Sequence, residues 1–295
     1  MARGQYSPVA TSDEGDVVVQ LDAGHPGFSD PVYRTRRNAI ARLATEHRDG
    51  EPIVPVDYTD EEHGVWRFVS NELESRHRRF AATSFLDAKD RLGLPTTRVP
   101  QLTEVTERLA AHTGFRYEPV AGLAPLREFY SAFSARTFYS TQYLRHPSVP
   151  AYTPEPDLIH EVVGHANQLA DERVATLYEL VGEATRRSSS PEALGLLSKV
   201  FWFTLEFGVV YEDGEPKAYG AGILSSPGEL DVFQSMAIKP LDFAEAGTVD
   251  YDIAHFQPVL YSVGSETELF DRLSAFFAGY DDDAYDALLA TGAHR

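Results

Sequence analysis

Apolar positions along the chain recur mostly at the three-and-four spacing of helices, and period-two alternation is confined to short runs. The pattern from 31 to 48 is helical, with Arg34, Arg36, Arg37 and Arg42 on a side that reads as solvated. Two helical stretches fill 59 to 92; their Trp66, Phe68 and Leu73, then Phe80, Phe85 and Leu92, are spaced as core residues. A helix over 102 to 113 stops at Gly114. An extended loop at 119 to 123 leads to a helix near 126 to 134 and a strand-like run over 136 to 144, rich in Thr, Tyr and Phe. The segment 154 to 171 reads as one helix opened by Pro156 and Asp157, and 172 to 187 as the next. Ser190 and Pro191 then open a helix whose apolar run, 194 to 207, ends at Gly208. Residues 209 to 212, an Asp213-Gly214 turn and 217 to 224 predict a hairpin; 256 to 261 reads as a strand and 266 to 277 as a helix. The expectation is a mainly α fold with small β elements: a polar tail at 1 to 20, one body from 21 to 280, and a second tail from 281 to 295.

Within that frame one stretch carries chemistry. His160 and His165 stand five apart, with Glu161 directly after the first. On a straight α-helix five residues turn the second ring about 140° from the first and lift it about 7.5 Å, too divergent for one ion. A shared metal therefore requires either a loose first turn at His160 or a widened π-type turn, which Gly164 would ease. A third ligand is at hand in Glu206, embedded in Phe-Trp-Phe-Thr-Leu-Glu-Phe-Gly from 201 to 208, because a carboxylate buried among aromatics needs a cation or a proton. Two His and one Glu match the facial triad of non-haem Fe(II) oxygenases, with zinc as the other candidate.

Composition narrows this further. With no cysteine, any metal must be held by nitrogen and oxygen. A net charge of −19 argues against nucleic acid or an anionic membrane as partner. No apolar run approaches a membrane span and the first thirty residues lack a signal-peptide core, so a cytoplasmic protein is expected.

These motifs also carry a resemblance. Residues 153 to 165, 201 to 208 and Lys-Ala-Tyr-Gly-Ala-Gly-Ile-Leu-Ser-Ser-Pro-Gly-Glu-Leu at 217 to 230 resemble the pterin-dependent aromatic amino acid hydroxylases, especially the phenylalanine 4-hydroxylases. So do His-Pro-Gly-Phe-Ser-Asp-Pro-Val-Tyr-Arg at 25 to 34, Thr-Gly-Phe-Arg at 113 to 116, Pro-Val-Ala-Gly-Leu at 119 to 123 and Thr-Gln-Tyr-Leu-Arg-His at 141 to 146. The resemblance spans about 21 to 261 and implies that family's catalytic-domain fold, with Fe(II) on His160, His165 and Glu206 and a tetrahydropterin such as tetrahydrobiopterin. It implies pterin contacts at Gly122, Leu123, Phe129 and Glu161, although Ala124 and Leu126 depart from the usual Leu and Ser. For the amino acid it implies Arg145 on the α-carboxylate, with Thr153, Trp202, Phe207, Gly222, Ser225 and Ile253 around it, Ser225 also steadying an iron-ligand histidine. Animal members add a regulatory domain and a coiled-coil tail; neither is expected here, so a monomer is. Trp202 and Phe207 favour L-phenylalanine, converted to tyrosine with O2, whereas Ile253 stands where tryptophan hydroxylases more often carry isoleucine. Hydroxylation at C3 of phenylalanine, or at C5 of tryptophan, stays open, as do a zinc metallopeptidase and a non-catalytic amino-acid or pterin binding protein.

Overall fold

The protein is described from a computed structural model, covering residues 7–12, 15–251 and 255–292. Its opening elements are two short strands, β1 (Val9–Thr11) and β2 (Val17–Val19), antiparallel to each other. The alternation buries Val17 and Val19 against Ala41, so part of the segment expected as a polar tail is a docked hairpin. It sits on α1 (Pro31–Glu46), where Val19 N donates to Asn38 Oδ1 at 2.8 Å. Asp30 caps α1 by accepting from Val32 N and Tyr33 N, with Pro31 at the first helical position.

A complete capping box of Thr59 and Glu62 starts α2 (Asp60–Phe80), and α3 (Thr83–Leu92) ends on Gly93 in the left-handed region, φ 59°. Beyond α4 (Leu102–His112) comes β3 (Arg116–Pro119), then α5 (Leu126–Phe133) and β4 (Thr137–Ser140), which pairs parallel with β3. The predicted run over 136 to 144 is thus a strand only in its first half. A π-helix, His160–Ala166, continues into α6 (Asn167–Leu169) and is followed by α7 (Glu172–Arg187). Next, α8 (Pro191–Phe201) runs into a second π-helix, Trp202–Glu206.

Strands β5 (Val209–Glu212) and β6 (Glu215–Ala218) turn through Asp213 and Gly214, both with positive φ, as the Asp-Gly pair predicts. The returning strand is shorter than expected, because 221 to 224 form a helix, α9 (Ala221–Leu224). There follow α10 (Pro227–Val232), β7 (Ile238–Pro240), α11 (Phe243–Ala246), β8 (Leu260–Val263), α12 (Glu266–Gly279) and α13 (Asp282–Gly292). The order β6-β5-β8-β7 makes the largest sheet, and β8 begins four residues after the predicted strand start. The supposed C-terminal tail is a docked helix: Asp282 accepts from Ser189 N (2.8 Å) and Ser190 N (3.1 Å).

Around the central α7 lies the main core. It packs between α5 and α12, and Phe133, Phe138, Tyr178 and Phe201 meet there with almost no exposure. Arg37, expected on a wet face, is buried beneath this frame, pairing with Glu155 at 2.8 Å and lying 3.3 Å from the centre of the Tyr143 ring. A buried guanidinium persists only with such partners.

Candidate active site

Asp157 precedes the first metal-type histidine and accepts from His160 N at 3.2 Å, starting the helix. From His160 the backbone widens into the π-helix, where residues five apart share a face. The rings of His160 and His165 accordingly meet nearly perpendicular, with their Nε2 atoms 3.0 Å apart. Gly164 serves a second purpose: a Cβ there would lie 2.8 Å from Ala221 O, so only glycine lets α9 approach. Glu206 closes the second π-helix, whose wide turn is marked by Phe207 N donating to Trp202 O at 2.9 Å. One Glu206 oxygen lies 3.0 Å from His165 Nε2, and the other lies 3.7 Å from His160 Nε2 with no hydrogen-bond partner. Gly220 allows this packing, since its Cβ would fall 2.3 Å from Glu206 O.

Hydrogen bonds behind the rings fix their tautomers. The Gln168 amide nitrogen donates to Leu205 O and Tyr219 O, so Gln168 Oε1 is the acceptor for the Tyr178 hydroxyl at 3.1 Å. With its proton committed there, Tyr178 OH accepts from His165 Nδ1 at 2.7 Å. The Ser225 hydroxyl donates to Gly222 O at 3.3 Å and accepts from His160 Nδ1 at 2.9 Å. Both Nε2 atoms therefore turn lone pairs toward Glu206. Burial drives the His160 imidazole down to about 4, keeping it neutral. Two lone pairs and a carboxylate oxygen with no partner, converging in a buried space, fit a divalent cation held by two nitrogens and an oxygen.

This cluster opens onto a cavity of about 640 Å³. Every residue expected at the site lines it except Ile253, which lies outside the described residues. One wall is aromatic: Trp202 stacks on Tyr251 at 4.2 Å and leans on Phe207 at 4.7 Å, while its Nε1 donates to Gln257 Oε1 at 2.9 Å. Gly222 leaves room for that wall, because a Cβ there would meet the Phe207 ring at 2.5 Å. Across the cavity, Phe129 is held edge-on by Phe133 and Phe138, at 5.0 and 5.5 Å, beside Gly122 and the half-exposed Leu123. Glu161 is buried and its carboxyl is pushed well above its ordinary range by burial and by Glu206 and Asp157.

Arg145 also faces this space, but one edge of its guanidinium is already occupied. Nε and Nη2 bind Asp157 at 2.9 and 2.8 Å, and the Arg145 backbone N donates to the same carboxylate at 2.8 Å. Both side chains are buried, so Asp157 aims the guanidinium, while Nη1 makes only a long contact with Pro150 O at 3.5 Å and keeps an N–H for a ligand. The nearby Thr153 hydroxyl donates to Glu155 O.

A family model described as biopterin-dependent aromatic amino acid hydroxylase matches residues 14–283. The chain belongs to that family. Among this hydroxylase's relatives, the phenylalanine 3-hydroxylase of Streptomyces coeruleorubidus is 47% identical, over 91% of this chain and 96% of that protein. The phenylalanine-4-hydroxylase of Bos taurus is 40% identical over 88% of this chain, which spans only 58% of the bovine protein's length. A solved phenylalanine hydroxylase of Chromobacterium violaceum, described with bound iron(III) and 7,8-dihydrobiopterin, superposes with a TM-score of 0.70 at 30% identity, covering 74% of this chain and 81% of that one. The fold of this hydroxylase is therefore the family's catalytic-domain fold, and membership displaces the peptidase and non-catalytic alternatives. Among its described residues, no helix is long and apolar enough to cross a membrane.

Sequence reading missed several residues of this hydroxylase's site. Tyr178 lies 13 positions from His165 and 10 from Gln168, the residues it bonds in space, and no local pattern distinguishes Tyr178 or Gln168 from core. Asp157 reads in the sequence only as a helix opener, and Tyr251 stands in no motif. The Ser226-Pro-Gly-Glu229 spacing could have drawn notice to Glu229 as a capping box.

Proposed function

We propose that this chain is an iron- and tetrahydropterin-dependent monooxygenase that hydroxylates the ring of L-phenylalanine with O2. The observation that carries this reading is the convergence of the His160, His165 and Glu206 ligand atoms in a cavity that also presents Arg145 and an aromatic wall. Those three groups would hold Fe(II), which with a reduced pterin as two-electron donor would supply the O2 activation that ring hydroxylation needs.

The chain's own residues bind, orient and exclude water. In this reading the Arg145 Nη1 edge takes the substrate carboxylate, stiffened by its bond to Asp157. Trp202, Phe207 and Tyr251 hold the benzene ring, where aromatic contacts add about 0.5–1.5 kcal/mol each beyond area burial. Phe129 offers its face to the pterin, its ring kept in place by Phe133 and Phe138. The Ser225 and Tyr178 hydroxyls keep both imidazoles in the tautomer a metal needs. Burial of the cluster and of Glu161 keeps bulk water from the reacting centre.

As to the ring carbon, C4 is the expectation from the motifs, and a specific observation favours C3 as a second reading. The relative named for 3-hydroxylation is 47% identical over nearly its whole length, whereas the bovine 4-hydroxylase is 40% identical over little more than half of its own. Anaerobic Fe(II) reconstitution followed by air, tetrahydrobiopterin and L-phenylalanine, with products separated against para-tyrosine, meta-tyrosine and 5-hydroxytryptophan standards, decides both points. Either tyrosine isomer, formed only with iron and pterin together, supports the activity and assigns the carbon. Turnover of L-tryptophan alone refutes the substrate.

A further inference from the structure

The cavity holds one acidic group that the roles above leave unused. Glu229 lines it from the first turn of α10, with only 7% of its surface exposed. Its Oε2 is buried without a hydrogen-bond partner, and among the described residues no cation pairs with it. Two other carboxylates lining the cavity are engaged. Glu155 pairs with Arg37 at 2.8 Å and accepts from Ser7 N at 2.9 Å, and Glu206 faces the two imidazoles. Burial alone, unopposed by any neighbouring charge, pushes the Glu229 carboxyl up to about 7.

Its local context makes this arrangement unexpected. Ser226 caps α10 by accepting from Glu229 N at 3.3 Å, which is half of a capping box. In the complete motif the glutamate would reach back to the serine backbone N–H. Here Ser226 N instead donates to Ile223 O at 3.2 Å, so the motif's usual use of the side chain is pre-empted. The carboxylate is left facing the cavity, four residues from the Ser225 that supports His160. A buried carboxylate without a partner is costly, and the cost is recovered only if a cation arrives.

We infer that Glu229 is a specificity-determining residue that receives the α-ammonium of the amino-acid substrate. The inference rests on the amino-acid reading of the site. A zwitterion needs both signs of charge beside its ring pocket: Arg145 supplies the positive one and Glu229 the negative one. Glu229 thereby separates amino acids from the arylalkanoic acids that share their ring and carboxylate. Asp157, the other buried acid near the carboxylate end, has both oxygens bonded to Arg145 and so does not receive the ammonium.

The test is equilibrium binding by calorimetry under anaerobic conditions to the iron-reconstituted wild type and to Glu229→Gln, using L-phenylalanine and 3-phenylpropanoate, which lacks only the amino group. Glu229→Gln is expected to weaken L-phenylalanine roughly 10- to 100-fold, as for loss of a hydrogen bond to a charged group, and to leave 3-phenylpropanoate unchanged or tighter. Glu229→Asp, which keeps the charge on a shorter stem, should recover part of the discrimination. L-phenylalanine binding to Glu229→Gln as tightly as to wild type overturns the inference, and so does an equal loss for both ligands in a variant whose melting temperature is unchanged. If L-phenylalanine fails to bind the wild type, the amino-acid reading of the cavity falls and the inference with it.

Discussion

Replacing Tyr178 by phenylalanine removes a single oxygen from the support of the metal-type site. The ring stays in its aromatic nest of Phe115, Phe133 and Phe201, so packing is conserved. Two buried groups lose their partner: His165 Nδ1–H, donating at 2.7 Å, and Gln168 Oε1, accepting at 3.1 Å. Each unsatisfied buried group costs about 1–3 kcal/mol, so Tyr178→Phe should destabilise the metal-free protein by roughly 2–6 kcal/mol, unless water refills the gap. His165 also becomes free to place its proton on Nε2, the atom facing Glu206. Losses of such outer hydrogen bonds typically weaken a metal about 10- to 100-fold, equivalent to about 1.4–2.7 kcal/mol. The assay is competition for Fe(II) against a chelator of known affinity, beside thermal melts of both proteins with and without metal. Iron affinity within twofold of wild type would refute the argument that Tyr178 sets the tautomer, whatever the melts show.

Other outcomes follow from the same contacts. Glu206→Gln, which keeps shape but removes the ligand charge, should lose Fe(II) binding and hydroxylation together, and chelation of the wild type should do the same reversibly, with Fe(II) restoring activity in product assays. Arg145→Lys keeps a charge but breaks the paired bonds to buried Asp157; a loss of about 3–5 kcal/mol in denaturant unfolding and a raised KM for L-phenylalanine are expected. Gly220→Ala puts a methyl 2.3 Å from Glu206 O, so about 1–3 kcal/mol of strain and weakened iron binding should appear together in melts and metal titration. His77 is fully buried and its imidazole is lowered to about 4 by burial and by Lys89. The unfolded chain takes up this proton below about 6.5 while the folded one resists it, so the stability this neutral histidine confers is complete above 6.5 and is lost as pH falls toward 4, by on the order of 3 kcal/mol. The pH-dependent part of that loss should vanish in His77→Gln, measured as the difference between two urea-unfolding series from pH 4 to 7.

Local rules located most elements because they concern groups close along the chain. Asp30, Thr59 and Ser190 cap their helices, and Asp213-Gly214 makes its turn, since each satisfies backbone groups within a few residues. The five-residue histidine spacing demanded a widened turn, and the π-helix supplies it. By itself, then, the sequence determined the mainly helical fold, the family, the three converging ligand-type residues and most of the cavity wall. Only the tertiary structure decided which faces meet. It buried Arg37 on Glu155, took one edge of Arg145 for Asp157, docked the hairpin at 9 to 19 and the final helix, and turned Tyr178 and Glu229 from anonymous positions into groups at the site. The reason is physical: a hydrogen bond between α7 and the π-helix, or a carboxylate left without a partner, depends on how distant segments pack. That packing is a balance over the whole core, and no short window of residues encodes it.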